Sequence, residues 1–311
     1  MSIKRLCFCG KPEMGKTTIK KVVFEGANPN ELVLFPLEAT IGSKYSIHEF
    51  MDSKIVVIDT PGQNLPQLLK DEEKQIRSFE NAGAIIYIFD YPSWIEDSES
   101  IIDDIKRIYE INIKHKFEAK IILFLHKIDL LISDKKIGLK LETIRKEINK
   151  LLNLPEELRV YFTSLHPKIL FTIHNALYDT IGNFSEGVSK LKEVISNFIC
   201  KIPQTICFIF NQNHNLIIQE KSDDFDTTLL FYLYERLNNL IKASEEFLLK
   251  KKLISLKSTI LHTAIENISG IYPDFKYVMI FSETIKSDEL RNFIDNLITE
   301  ISSLDKLEKK I

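Results

Sequence analysis

Residues Gly10 to Thr17 read Gly-Lys-Pro-Glu-Met-Gly-Lys-Thr, which is G-x-x-x-x-G-K-T. No other stretch limits the possible folds so tightly. A loop with this spacing curls until successive backbone N–H groups point inward at an anion, and the helix that follows adds its positive end. It therefore needs a buried strand before it and a helix after it. Ile3 to Cys9 is a short apolar run fit for that strand, and Thr18 to Phe24 continues as a helix. The expected phosphate-binding set is Gly10, Lys11, Pro12, Glu13, Met14, Gly15, Lys16, Thr17 and Thr18. Lys16 would reach the β- and γ-phosphates, and Thr17 would offer its hydroxyl to Mg²⁺. Glu13 admits two readings: its carboxylate repels the γ-phosphate, or it points to solvent.

Glu25 to Leu37, with Gly26, Pro29 and Pro36, reads as a loop. It delivers Ala39-Thr40-Ile41-Gly42. At this distance past a phosphate loop, Thr40 is placed to sense the γ-phosphate and to reach Mg²⁺; a plain surface threonine also fits. Ser43 to Phe50 and Ile55 to Ile58 read as strands joined by a Met51-Asp52-Ser53 turn. The second strand runs into Asp59-Thr60-Pro61-Gly62-Gln63, a D-x-x-G-Q pattern. Asp59 would hold Mg²⁺ through water, the Gly62 N–H would approach the γ-phosphate, and Gln63 would orient the attacking water. Asn64 to Asn81 is polar with a helical pattern, suited to a second switch.

Ala84 to Asp90 and Ala119 to Leu125 are nearly continuous apolar runs, as parallel strands covered on both faces require. Between them Asp97 to His115 is an amphipathic helix, and Trp94 is expected to pack. The second run ends in His126-Lys127-Ile128-Asp129. At the carboxyl end of a strand, where such folds bind ligands, the Asp129 carboxylate can accept both N1–H and the 2-amino group of guanine. Adenine lacks that pair of donors. The stem of Lys127 can lie over the purine. Ser133 to Leu152 is a helix and Leu158 to Phe162 a sixth strand. Thr163-Ser164-Leu165 follows, where the Ser164 and Leu165 backbone could touch guanine O6. A helix from His166 to about Ile181 closes the region. Alternating strands and helices define an α/β class with a mainly parallel six-stranded sheet. The pair Ser43–Phe50 and Ile55–Ile58 is its antiparallel exception.

Gly182 to Gly187 marks a boundary, so the expected domains are 1–183 and 184–311. Beyond it the pattern is helix (Val188 to Ile199), strand (Thr205 to Phe210), turn (Asn211 to Asn215), strand (Leu216 to Glu220) and a long helix from near Asp223. Strands near Ser255 to Leu261, Thr263 to Ile268 and Lys276 to Phe281 follow. A helix from Ser287 to about Ile301 and a charged tail end the chain. This is a small α+β domain without a catalytic constellation; His214 and His262 are isolated. The long helix carries more apolar surface than one thin sheet covers. Self-association, partner binding or cover from the N-terminal domain would account for it.

Charge is nearly balanced, with 41 Lys plus Arg against 44 Asp plus Glu, which argues against nucleic acid as a partner. Cys7 and Cys9 read as buried small hydrophobes, and no His/Cys cluster has zinc spacing. The start has no signal-peptide pattern, residue 2 is Ser2 rather than glycine, the end has no prenylation cysteine, and no apolar stretch reaches the roughly 18 residues of a bilayer span. The expectation is a cytoplasmic protein with no direct membrane insertion.

These motifs resemble the Rag (Gtr) GTPases, Ras-like G domains fused to a C-terminal roadblock (longin-like) domain. Asp59-Thr60-Pro61-Gly62-Gln63 is similar to the RagC-type form. Rag proteins carry His where most small GTPases carry Asn, as at His126, and Phe162-Thr163-Ser164 is similar to their last base-contacting loop. The order of elements after Gly182 is similar to a roadblock domain. The resemblance implies a GTP/GDP switch with Mg²⁺ held by Thr17, Thr40 and Asp59, and with catalysis through Lys16, Thr40 and Gln63. It also implies a homodimer or a heterodimer with a paralogous GTPase through the C-terminal domain. Roadblock-type scaffold proteins would recruit it to a membrane. No arginine lies between Gly26 and Phe50, only Lys44, so slow hydrolysis stimulated by a GTPase-activating partner is expected. Two other readings remain open on the sequence: a nucleotide-bound scaffold with negligible hydrolysis, and an ATPase of another P-loop class.

Overall fold

A computed structural model describes residues 3–34, 43–50, 53–182, 184–247, 251–256, 259–271 and 275–308. Thr40 and its neighbours Ala39, Ile41 and Gly42 lie outside the described residues, as do Met51 and Asp52 of the expected turn. The chain forms two compact units, Met1–Ala176 and Leu177–Ile311.

The first unit begins with β1 (Ile3–Cys9), α1 (Lys16–Glu25), α2 (Pro29–Leu34), β2 (Lys44–Phe50) and β3 (Ser53–Asp59). Next come α3 (Leu65–Leu68), α4 (Glu72–Phe79), β4 (Ala82–Asp90), α5 (Tyr91–Glu96) and α6 (Ser98–Lys114). Then follow β5 (Lys120–His126), α7 (Ile137–Leu152), β6 (Arg159–Phe162) and α8 (Phe171–Gly182), within which the two units divide. The six strands lie in the order β2-β3-β1-β4-β5-β6. All pairs are parallel except β2 with β3, the exception expected from the sequence. This is the mixed α/β sheet of a Ras-like G domain. Covered on both faces, β4 and β5 bury residues at successive positions rather than alternate ones. That is why both read as continuous apolar runs. Cys7 and Cys9 are fully buried free thiols in β1. Trp94 is buried with its ring centroid 5.9 Å from that of Phe89.

Three short elements escaped the sequence pattern. Asn28 accepts the Asn30 N–H at 3.0 Å, and Pro29 supplies a preset first turn, so α2 forms inside the expected loop. Asp90 accepts the Ser93 N–H at 2.9 Å and starts α5. A 3-10 turn over Gly62–Asn64 precedes α3. By contrast α6 is bounded as read, capped by Asp97 and closed at His115, with Ile101, Ile105 and Ile108 on its buried stripe.

The second unit contains α9 (Glu186–Ile199), β7 (Thr205–Asn211), β8 (Leu216–Lys221), α10 (Leu230–Phe247), β9 (Lys251–Leu256), β10 (Thr259–Asn267), β11 (Phe275–Ser282) and α11 (Ser287–Glu308). Its antiparallel sheet has the order β8-β7-β11-β10-β9, and such a sheet fits a roadblock-type domain. One face forms a core from Cys207, Ile209, Val278 and Ile280 with Ile195 and Ile199 of α9 and Leu290, Ile294 and Leu297 of α11. The opposite face carries Phe208, whose ring lies 6.2 Å from that of Tyr234 on α10.

Helix α10 starts later than the acidic run at Asp223 suggested. Asp224 accepts the Gln204 N–H at 2.8 Å, and Asp226 caps a 3-10 turn through the Thr228 N–H. These carboxylates tether a loop instead of opening the helix. Of the apolar residues expected on α10, Phe231, Leu233, Leu237, Leu240 and Ile241 are buried; the side chains of Phe247 and Leu248 are outside the described set. The strands expected near Ser255–Leu261 and Thr263–Ile268 are instead β9 and β10, paired antiparallel; residues 257 and 258 are outside the described set. His262 sits within β10, paired with Leu253 and Ser282. The expected charged tail is helical as far as Glu308.

Candidate functional site

A cavity of about 770 Å³ opens at the carboxyl ends of the parallel strands. It is lined by Pro12 through Thr18, by Thr60, Gly62 and Gln63, and by His126, Lys127, Asp129 and Leu165. Three separate sequence motifs therefore meet around one space, as expected where such sheets bind ligands.

At its phosphate end, the loop after β1 turns into α1 through Gly15, whose φ of 87° lies in the left-handed region. A Cβ on Gly15 would stand 2.9 Å from the His126 ring. Lys16 is buried and donates to the carbonyls of Gly10, at 2.9 Å, and Lys11, at 2.6 Å. Burial lowers its pKa, while Asp59 works to raise it. Thr17 Oγ1 donates to Asp59 Oδ2 at 2.6 Å. Asp59 is fully buried, and its other oxygen, Oδ1, has no hydrogen-bond partner. A hydroxyl beside a carboxylate with an orphaned buried oxygen is a hard-oxygen donor set suited to Mg²⁺. Among the described residues no cluster of three or more His, Cys, Asp and Glu could hold a metal. Among the described residues an ion here would rely on these two protein oxygens, with water and phosphate completing its shell as Mg²⁺ habitually requires; Thr40, the third expected ligand, is outside them.

The second motif lies directly on the first. A Cβ on Gly62 would fall 2.4 Å from the Pro12 nitrogen and 2.6 Å from the Lys11 carbonyl. The glycine is needed because two backbones touch there. Thr60 is held by its hydroxyl bond of 2.8 Å to the Phe8 carbonyl. Gln63 is exposed at the cavity wall. Glu13 is also exposed and lines the cavity, with a φ of 63°. Lys11 turns away and bonds Asp97 at 3.1 Å and Ser100 at 2.7 Å. Met14 is buried.

At the base end, Asp129 accepts from Ser164 Oγ at 2.5 Å, which fixes one oxygen. Ser164 is fully buried and its hydroxyl accepts the His166 N–H at 2.9 Å. The His126 ring is buried, with Nδ1 3.0 Å from the Thr163 hydroxyl. Burial lowers its pKa to about 4, so the imidazole is neutral at physiological pH. Lys127 donates to the Glu13 carbonyl at 3.0 Å and to Asp90 at 2.6 Å.

Of the expected site residues, Pro12 to Thr18, Gly62, Gln63, His126, Lys127, Asp129 and Leu165 line the cavity; Gly10, Lys11, Asp59 and Ser164 do not, though each is bonded to a lining residue, and Thr40 is outside the described residues. Sequence reasoning missed Asp90. Burial pushes its carboxyl pKa up, but bonds from Lys127 and Ser93 outweigh that and hold it low. Its position at the end of a buried strand was the available signal. Pro29, Asn30 and Leu32 also line the cavity unexpectedly, and only recognition of the α2 cap would have placed them.

A phosphate loop, an adjoining Asp–Thr pair and a carboxylate on the base side define a P-loop G protein. The chain belongs to the Gtr1/RagA G protein family: the model of the Gtr1/RagA G protein conserved region matches residues 5–241. It is 25% identical over 222 residues to the GTP-binding protein GTR2 of Saccharomyces cerevisiae, covering 70% of this chain and 61% of that one. Identity to the Ras-related GTP-binding protein C of Homo sapiens is 25% over 229 residues, covering 71% and 54%. Identity to the Ras-related GTP-binding protein A of Dictyostelium discoideum is 26% over 211 residues, covering 66% of each. The first two matches span little more than half of those relatives.

Proposed function

We propose that this chain is a Rag-like GTP/GDP switch that hydrolyses GTP slowly to GDP and phosphate. The observation that carries the reading is one cavity lined by Lys16 and Thr17 at one end, with Asp59 bonded to Thr17 behind them, and by Asp129 at the other. Asp129 presents a carboxylate for guanine N1–H and the 2-amino group, with Ser164 holding its orientation. Lys16 exchanges the Gly10 and Lys11 carbonyls for phosphate oxygens, a favourable trade for an ammonium already removed from water. Gln63 orients the water whose oxygen forms the new bond to the γ-phosphorus as the bond to the β-bridging oxygen breaks. Thr17 and Asp59 would hold Mg²⁺, which when bound would neutralise charge on the β- and γ-phosphates. Thr40 is assigned the γ-phosphate sensor on its sequence position.

The proposed division is a G domain over 1–183 and a roadblock-like dimerisation domain over 184–311. The proposed partners are a second copy or a paralogous GTPase, roadblock-type scaffolds and a GTPase-activating protein. No described helix is long and apolar enough to cross a membrane. A cytoplasmic protein brought to membranes by its partners is consistent with that.

Competition binding tests the reading. GTP and GDP should displace a fluorescent guanine nucleotide, ATP should fail, and Asp129→Asn should shift preference toward xanthosine nucleotides. Equal displacement by ATP would remove the guanine assignment.

A further inference from the structure

Asp90 ends β4 beside His126 at the end of β5, and nothing in the three motifs accounts for it. Its side chain is 5% exposed, whereas that of Lys127 is 39% exposed. A carboxylate that deep is costly unless paired. Its cationic partner is the Lys127 ammonium, 2.6 Å away, and the same ammonium donates to the Glu13 carbonyl of the phosphate loop. Asp90 also caps α5 through Ser93. One buried residue therefore joins β4, α5, the base motif and the phosphate loop. A free lysine holds considerable rotamer freedom, which it loses on lying flat against a ligand. Here both ends of that side chain are fixed in advance: its backbone by a φ of 58° and its ammonium by two acceptors.

We propose that Asp90 is a positioning residue that sets how long guanine nucleotide stays bound, acting through Lys127 by holding its stem across the purine face. The inference rests on the guanine-nucleotide reading above. Preorganisation of this kind lowers the cost of binding and appears chiefly in the off-rate. Asn at position 90 keeps an oxygen for the Ser93 cap but removes the charge that holds Lys127. Loss of one charge-assisted bond predicts about a tenfold faster release.

The test is the dissociation rate of a fluorescent GDP from the full chain, chased with excess GDP. Asp90→Asn should speed release about tenfold. In a Lys127→Met background, the same change should alter the rate by less than about twofold, because the group through which Asp90 acts is gone. A purely structural role would slow or speed release equally in both backgrounds, and that result overturns the proposal. Tight binding by the parent with an unchanged rate in Asp90→Asn overturns the inference alone. Failure of the parent to bind GDP overturns both inference and reading. Should Asp90→Asn not fold, Asp90→Glu keeps the charge but displaces the carboxylate. A rate raised about threefold or more then supports positioning, and a rate within about twofold of the parent overturns it.

Discussion

Gly62 has no room for a side chain because the backbone of Lys11 and Pro12 occupies it. Backbone cannot yield as a flexible side chain can, so Gly62→Ala should push the 3-10 turn off the phosphate loop. Faster amide exchange over residues 60–68 would register that movement, and an unchanged pattern would contradict it. Gly15→Ala meets a ring instead, but at a φ of 87°. It should cost about 1–3 kcal/mol of stability and most of the nucleotide affinity, measurable by denaturation and titration. His126 and His174 are buried, and burial lowers both pKa values to about 4. Unfolded histidine titrates near 6.5. Between those values the unfolded chain binds more protons, so this contribution is complete above about 6.5 and lost as pH falls toward 4. Denaturation midpoints at neutral pH and at about pH 5 should therefore differ, and His126→Asn should narrow the gap. At this scale the sequence was most legible where chemistry dictates a residue type. Asp59, Lys16 and Asp129 were singled out for the bonds that phosphate and guanine would require. For Asp90 only its position at the end of a buried strand was legible, since that position does not announce which lysine lies beside it.

Long elements were legible because their burial pattern repeats. The strands β4 and β5 and the helix α6 announce themselves over seven or more residues. Short ones depend on single capping bonds, such as Asn28 for α2, and these have no periodicity to detect. The β9–β10 pair hid for a related reason: the sequence between the two strands has no Gly, Asn or Asp to mark a break. Helix α10 is a different case. Its apolar residues were seen as a burial requirement, and among the described residues Leu237 is fully buried and Leu240 nearly so. Leu237→Ala should accordingly destabilise the protein by about 2–5 kcal/mol. Equilibrium denaturation would reveal it. A cost under about 1 kcal/mol would mean that α10 is not packed as described.

For the whole molecule, the decisive balance is between the binding groups that line the cavity and the catalytic groups that do not. Lys16 is placed for the phosphates, yet among the described residues no arginine lines the cavity. The sequence from Gly26 to Phe50 contains none either. An arginine finger accelerates this chemistry by roughly 10³–10⁵. The isolated protein should therefore retain GTP far longer than a working signal cycle allows, and a partner's arginine would supply the missing rate. Single-turnover hydrolysis with excess protein measures this directly. Rates on the order of 10⁻³ s⁻¹ or slower are expected, and Gln63→Leu should slow them further because the water loses its orienting amide. Turnover near 1 s⁻¹ without any partner would mean that the positive charge comes from within the chain. Lys11 would then be the first residue to examine, because its ammonium, now bonded to Asp97 and Ser100, springs from the phosphate loop itself. Equal rates with and without Gln63 would instead point to a protein that binds guanine nucleotide to fix its conformation and leaves hydrolysis incidental.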